Sequence, residues 1–280
     1  MSCSENSFTR LPASDARPQS TVAGRVAPLI EVQDAHVQFG GVRALAGVSC
    51  AVYRNEICGL IGPNGAGKTT LFNCITRLYD LTAGSITFTG QRIDRLSADQ
   101  IIRLGIARTF QNLGLYTGMT VLENVALGAH HRYRTGFVDV IARPWLADAE
   151  EKQHLEECRA ILDELDLARV AEESAGNLPF GSLKRVEIAR ALASHPQLLL
   201  LDEPAAGLTH SEVARFGRLI ERIRKRFEVT VLLVEHNMNL VMELCGRLLV
   251  LNFGQLLAEG TFAEIRRDPA VISAYLGETL

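Results

Sequence analysis

The residues with the clearest chemistry are Gly62-Pro63-Asn64-Gly65-Ala66-Gly67-Lys68-Thr69, which match the spacing G-x-x-x-x-G-K-[ST] of a phosphate-binding loop. Glycines let such a backbone curl around phosphate oxygens and aim its N–H groups at them. Glu56 to Ile61 reads as a buried strand before the loop, and Thr70 to Ile75 as a helix after it. That helix adds the positive end of its dipole to the anion site. Lys68 is placed to reach the β- and γ-phosphates, and the Thr69 hydroxyl to hold Mg2+. With Thr70, the stretch 62–70 is the candidate nucleotide-binding segment.

A second element is Leu198-Leu199-Leu200-Leu201-Asp202-Glu203-Pro204. An apolar strand ending in two carboxylates delivers them to the carboxyl edge of a sheet, where nucleotides bind in α/β folds. Asp202 suits the Mg2+ shell. Glu203, one residue on, points elsewhere and can act on the water that attacks the γ-phosphate.

These residues need elements to hold them. Continuous apolar runs at 57–61, 198–201, 229–234 and 247–251 alternate with helical patterns. That is the signature of a parallel core sheet covered on both faces, an α/β fold. Shorter alternating runs near 29–32, 35–39, 48–53 and 85–90 read as half-exposed antiparallel strands. From about Thr120 to Ala193 the pattern is helical, with Leu155, Cys158, Ile161, Leu162 and Leu165 recurring on one face of a charged helix.

Composition narrows the class. The chain has 280 residues, 47% hydrophobic, with a net charge of −3. That length buries a full core, and the charge argues against a dedicated nucleic-acid binder. The basic cluster His130-His131-Arg132-Tyr133-Arg134 reads as solvated surface. The six cysteines form no C-x-x-C pair, and most read as small core residues, which fits a reducing compartment. Neither a run of about 18 apolar residues nor a secretory signal is visible, so any membrane role is expected to come through partners. Residues 1–28, rich in Ser, Thr, Pro and Arg, are expected to form a flexible tail before one domain at 29–280.

With its motifs in this order, the chain from about residue 29 resembles the nucleotide-binding subunits of ABC transporters. The resemblance implies a P-loop NTPase (RecA-like) core with an antiparallel β subdomain. It also implies an inserted helical subdomain at about 112–193 and a C-terminal helical extension at about 261–280. In Arg108-Thr109-Phe110-Gln111-Asn112, Gln111 matches the family's glutamine that joins Mg2+ and water to the membrane partner. His236 matches the switch histidine at the γ-phosphate, and Phe39 the aromatic that stacks on adenine. For Phe39 a plain core position is the alternative. The family signature, commonly L-S-G-G-Q, falls on Leu178-Pro179-Phe180-Gly181-Ser182. There it implies that Gly181 and Ser182 face the γ-phosphate bound by another subunit. Pro179 and Ser182 depart from the pattern, as does Thr209 where Asp or Asn often stands in the interface loop.

Gly105 to Asn112, Met119-Thr120-Val121-Leu122-Glu123-Asn124-Val125, Pro204-Ala205-Ala206-Gly207-Leu208 and Asp268 to Gly277 resemble the ATPases of branched-chain amino-acid importers. Urea or amide import, lipopolysaccharide export and a soluble non-transport ATPase stay open as alternatives. The resemblance implies ATP and Mg2+ as cofactors and a second ATPase subunit, identical or paralogous. It further implies two transmembrane permease subunits, a periplasmic solute-binding protein, no nucleic acid, and a place on the cytoplasmic face of the inner membrane.

Overall fold

The computed structural model describes residues 27–109, 114–133 and 144–276. The expected N-terminal tail, Cys3 and Gln111 therefore lie outside the described residues, apart from positions 27 and 28.

An antiparallel sheet leads. It contains β1 (Ile30–Phe39), β2 (Val42–Val52), β4 (Ala83–Phe88) and β5 (Gln91–Arg92), in the order β2-β1-β4-β5. The runs 29–32 and 35–39 form one strand rather than two. A register shift between Val32 and Ala35 returns the apolar side chains to the core face, with Asp34 at φ +48°.

The second sheet contains β3 (Ile57–Ile61), β6 (Ile106–Arg108), β7 (Leu198–Asp202), β8 (Thr230–Val234), β9 (Arg247–Asn252) and β10 (Gln255–Gly260). Its order is β10-β9-β3-β8-β7-β6; β9 and β10 pair antiparallel, and the other neighbours are parallel. Strands β3, β7 and β8 are buried throughout because both faces are covered. Leu199, Leu201, Val231, Leu233, Leu248 and Val250 face one core. Their neighbours Leu198, Leu200, Leu232, Val234, Leu249 and Leu251 face the other. Two-sided burial explains the unbroken apolar runs, since each such side chain gains about 1.5–3 kcal/mol. Sequence reading missed β6 and β10: one has only three residues, and the other is half-exposed.

The helices are α1 (Lys68–Ile75), α2 (Ala98–Arg103), α3 (Val121–Ala129), α4 (Pro144–Glu164), α5 (Phe180–Leu192), α6 (His210–Phe227), α7 (Met238–Leu244), α8 (Phe262–Ile265) and α9 (Pro269–Leu276). Helices α3, α4 and α5 pack on one another in a helical layer. There Cys158, Ile161 and Leu162 of α4 are buried, as the one-sided pattern requires. Helices α3 and α5 cross closely: a Cβ on Gly128 would meet the Arg190 carbonyl oxygen at 1.9 Å. Thr120 caps α3 by accepting from the Glu123 N–H at 3.1 Å, and the Glu123 carboxylate accepts from the Thr120 N–H at 2.7 Å. Fully buried Asn124 accepts from the Tyr116 N–H at 2.8 Å and donates to the Tyr116 and Thr120 carbonyls, which fixes the segment entering α3.

Candidate functional site

Parallel strands share one carboxyl edge, and the phosphate loop, Asp202, Glu203 and His236 lie at the ends of strands β3, β7 and β8 there, whereas Phe39 lies on the antiparallel sheet and Gly181 and Ser182 at the start of α5. The loop after β3 carries residues 62–67 and ends in α1. Gly62, Gly65 and Gly67 have φ of +149°, +74° and +102°. Space enforces glycine at two of these positions. A Cβ on Gly62 would lie 2.1 Å from the Leu251 carbonyl oxygen, and one on Gly67 would lie 2.7 Å from that of Ala44. Around Gly65 nothing lies within 4 Å, so its requirement is conformational. Pro63 and Ala66 are buried, Asn64 and Thr69 are exposed, and Thr70 is half-buried. The Lys68 ammonium is buried within the curl and donates to the carbonyls of Gly62 at 2.6 Å and Pro63 at 2.8 Å. It sits where an anion held by the loop would meet it.

β7 ends at Asp202, and the next residue turns sharply. Glu203 has φ +47°, a left-handed conformation that costs a non-glycine residue of order 1 kcal/mol. This turn separates the two carboxylates, as their succession at a strand end led us to expect. Asp202 is buried and accepts from the Arg108 guanidinium at 2.7 Å. Glu203 is turned toward His236, whose Nε2 lies 3.0 Å from its Oε1. The His236 side chain is 47% exposed and that of Glu203 26%, so the pair faces open space. A carboxylate there is placed to take a proton from water, and an imidazole to meet an anion.

Glu235, without an assigned role in the sequence reading, holds the histidine loop. Its buried carboxylate accepts from the N–H groups of Ala205, His236 and Asn237 at 2.7, 2.9 and 3.1 Å. It thereby ties the turn after Glu203 to the turn carrying His236. Arg108 was also overlooked. For Glu235 the available signal was a charged residue at the end of an apolar strand; for Arg108, at the end of the three-residue β6, the sequence offered none.

Phe39 is 48% exposed and stands edge-on to Tyr79, with ring centroids 5.0 Å apart. It is a surface ring rather than a core side chain, and base stacking requires such a position.

The segment 178–182 starts α5, and Pro179 takes the N-cap position. Phe180, where the family pattern has glycine, packs against the interface loop: a Cβ on Gly207 would lie 2.9 Å from its ring. Gly181 leaves the helix start open, with Glu212 Oε1 3.3 Å from where its Cβ would be. The Ser182 hydroxyl accepts from Arg185 at 3.0 Å, and Arg185 also donates to the carbonyls of Leu165 and Asp166. A hydroxyl that accepts from Arg185 keeps its own proton to donate. Thr209 caps α6: its N–H and hydroxyl donate to Glu212 at 2.8 and 2.7 Å. The Thr209 hydroxyl and the commoner Asp or Asn side chain can serve the same N-cap position.

The oxygen donors Thr69 and Asp202 suit a hard cation that takes its remaining ligands from phosphate and water, which is how Mg2+ is held in nucleotide sites. Among the described residues the buried thiols are unsuited to nucleophilic chemistry. Burial pushes Cys74 and Cys245 up to about 12 and Cys158 up to about 11, and it raises Cys58 as well.

Comparison with known proteins follows the same map. Residues 45–206 match the family model described as ABC transporter, and residues 255–279 match that described as branched-chain amino acid ATP-binding cassette transporter. The chain is 42% identical to the high-affinity branched-chain amino acid transport ATP-binding protein BraF of Pseudomonas aeruginosa. That match covers 90% of this chain and 98% of that protein. It is 41% identical, with the same coverage, to LivG of Escherichia coli. Among solved structures, a nucleotide-free ATP-binding cassette from an ABC transporter superposes with a TM-score of 0.78 at 30% identity, covering 89% of this chain and 99% of that one. The ADP conformation of an ATP-binding cassette of an ABC transporter superposes with the same score and identity, covering 90% of this chain and 100% of that one. The α/β architecture is thus the P-loop core, antiparallel sheet and helical subdomain of these cassettes.

Proposed function

We propose, because this chain belongs to the ATP-binding subunits of ABC transporters in the group that includes LivG and BraF, that it powers import of branched-chain amino acids or closely related small solutes. The chain is an ATPase of the cassette type, and its work is to couple ATP hydrolysis to import. The observation that carries the site assignment is the pairing of Glu203 with His236 at 3.0 Å, at the sheet edge that also bears the phosphate loop.

Lys68 and the N–H groups of residues 62–70 bind the phosphates, and Phe39 stacks on the base. Thr69 and Asp202 hold Mg2+, whose contribution is to offset phosphate charge. Gln111 is proposed to complete that arrangement from the family pattern alone. Glu203 takes the proton of the attacking water, and His236 steadies the γ-phosphate and orients Glu203. Gly181 and Ser182 serve the nucleotide of a second cassette subunit, identical or paralogous, through the N-terminus of α5. Closure of the two chains assembles each site, and hydrolysis reopens it.

A groove of about 580 Å³ runs between α2 and the helical layer, lined by Leu78, Ile101, Ile102, Tyr116, Leu127 and Arg190. Arg108 and Gly114, which flank the Gln111 stretch in sequence, also line it, and it suits a cytoplasmic helix of one of two permease subunits. On this reading the chain works at the cytoplasmic face of the inner membrane, with a periplasmic solute-binding protein supplying the permeases.

Replacing Glu203 with Gln keeps shape and removes the base. Phosphate release is expected to fall by at least about a hundredfold, with ATP affinity unchanged and an ATP-bound dimer accumulating. Unchanged phosphate release would refute the role given to Glu203. Competition by leucine, isoleucine and valine for uptake through the assembled transporter tests the solute class.

A further inference from the structure

Beside Asp202 lies a second cation that the proposed reaction does not use. The Arg108 guanidinium, at the end of β6, donates from Nη2 to Asp202 Oδ2 at 2.7 Å and from Nη1 to Asn73 Oδ1 at 2.5 Å. Its carbon lies 5.5 Å from the centre of the Phe72 ring. Both ion-pair partners are nearly sealed from water, with side-chain exposures of 7% and 4%. One guanidinium therefore joins β6 and β7, which ends in Asp202, to α1, which begins with Lys68 and Thr69 of the phosphate motif.

A buried carboxylate without a counter-charge is costly, and beside a polyphosphate it would also repel the ligand. A fixed cation removes both penalties. The same cation repels a divalent ion that shares the carboxylate. We propose that Arg108 is the internal counter-ion of Asp202, a positioning residue that favours binding of metal-free ATP and holds down the affinity for the divalent cation. The inference rests on the reading above that Asp202 serves the metal shell. On this view the site moderates its grip on the divalent cation while keeping its grip on the nucleotide.

The test uses two constants with opposite expected signs. One is ATP affinity in EDTA, followed with a fluorescent adenine analogue. The other is Mn2+ affinity of the ATP-loaded Glu203→Gln protein, followed by electron paramagnetic resonance. Arg108→Gln keeps a planar hydrogen-bonding group and removes the charge. It is expected to weaken metal-free ATP binding by at least about threefold and to tighten Mn2+ by about tenfold. Arg108→Lys keeps the charge but loses the planar fork that also holds Asn73, so it is expected to fall between the parent and Arg108→Gln on both constants. Loss of both affinities in Arg108→Gln, or no change in either, overturns the proposal and leaves Arg108 a structural tie. If Arg108→Gln does not fold, Arg108→Lys decides: parental values or small shifts of opposite sign in the two constants support the charge role, and weaker binding of both ATP and Mn2+ overturns it. A parent that binds neither ATP nor Mn2+ would instead refute the proposed function.

Discussion

The loop at 62–70 and the segment at 178–182 both lead into helix N-termini suited to phosphate, yet the fold secures them by different means. The loop is constrained by backbone. Gly62 and Gly67 have positive φ and carbonyl oxygens where a Cβ would stand, and Lys68 is buried in the curl. The signature segment is secured by exchangeable side chains. Phe180 packs on Gly207, Arg185 reaches Ser182, and Thr209 caps α6 through Glu212. A site held by backbone tolerates little variation. A site held by side chains can drift while its neighbours compensate. This contrast explains why the loop keeps its full motif while Pro179, Ser182 and Thr209 depart from the family pattern on the facing surface.

The contrast can be broken first at Gly67. Gly67→Ala puts a Cβ into the Ala44 carbonyl at φ +102°, so the loop must move. ATP affinity measured by equilibrium titration is expected to fall by at least about fiftyfold, and stability by about 1–3 kcal/mol. A variant with parental affinity would show that the curl is not held by its backbone. A smaller change is expected on the facing side. Ser182→Gln restores the common residue and removes the hydroxyl that Arg185 contacts. ATPase rate and cooperativity are expected to shift by no more than about fivefold, because a polar group remains at the helix start. Loss of all activity would contradict the idea that this surface is adaptable. The smallest effect concerns the cysteines. With Cys58, Cys74, Cys158 and Cys245 buried and their pKa values raised, a thiol reagent at pH 7.5 is expected to leave them unmodified in the native chain. Mass spectrometry reads the outcome, and rapid labelling of Cys74 would show that α1 opens.

The sequence made the loop legible because its demands on the backbone can be met by few residue types. Two-sided burial made β3, β7, β8 and β9 legible as apolar runs. What stayed hidden depends on neighbours distant in sequence. β6 is too short for a period, and β10 is recognisable as a strand only beside β9. Glu235 and Arg108 gain meaning only when strand ends that are far apart in the chain meet at one sheet edge. The roles of Phe180 and Thr209 likewise depended on what packs against them.

The central claim is that the phosphate loop of one chain works only with the signature segment of another. The most direct measurement is ATPase activity per chain as a function of chain concentration, for the parent and for Gly181→Asp, with the paralogous subunit added if the chain alone is silent. A composite site predicts activity per chain that rises with concentration and then saturates. It also predicts that Gly181→Asp abolishes this rise while each chain still binds ATP through its own loop. Activity per chain that is constant with dilution and unaffected by Gly181→Asp would show that one chain carries the whole site, and would contradict the claim.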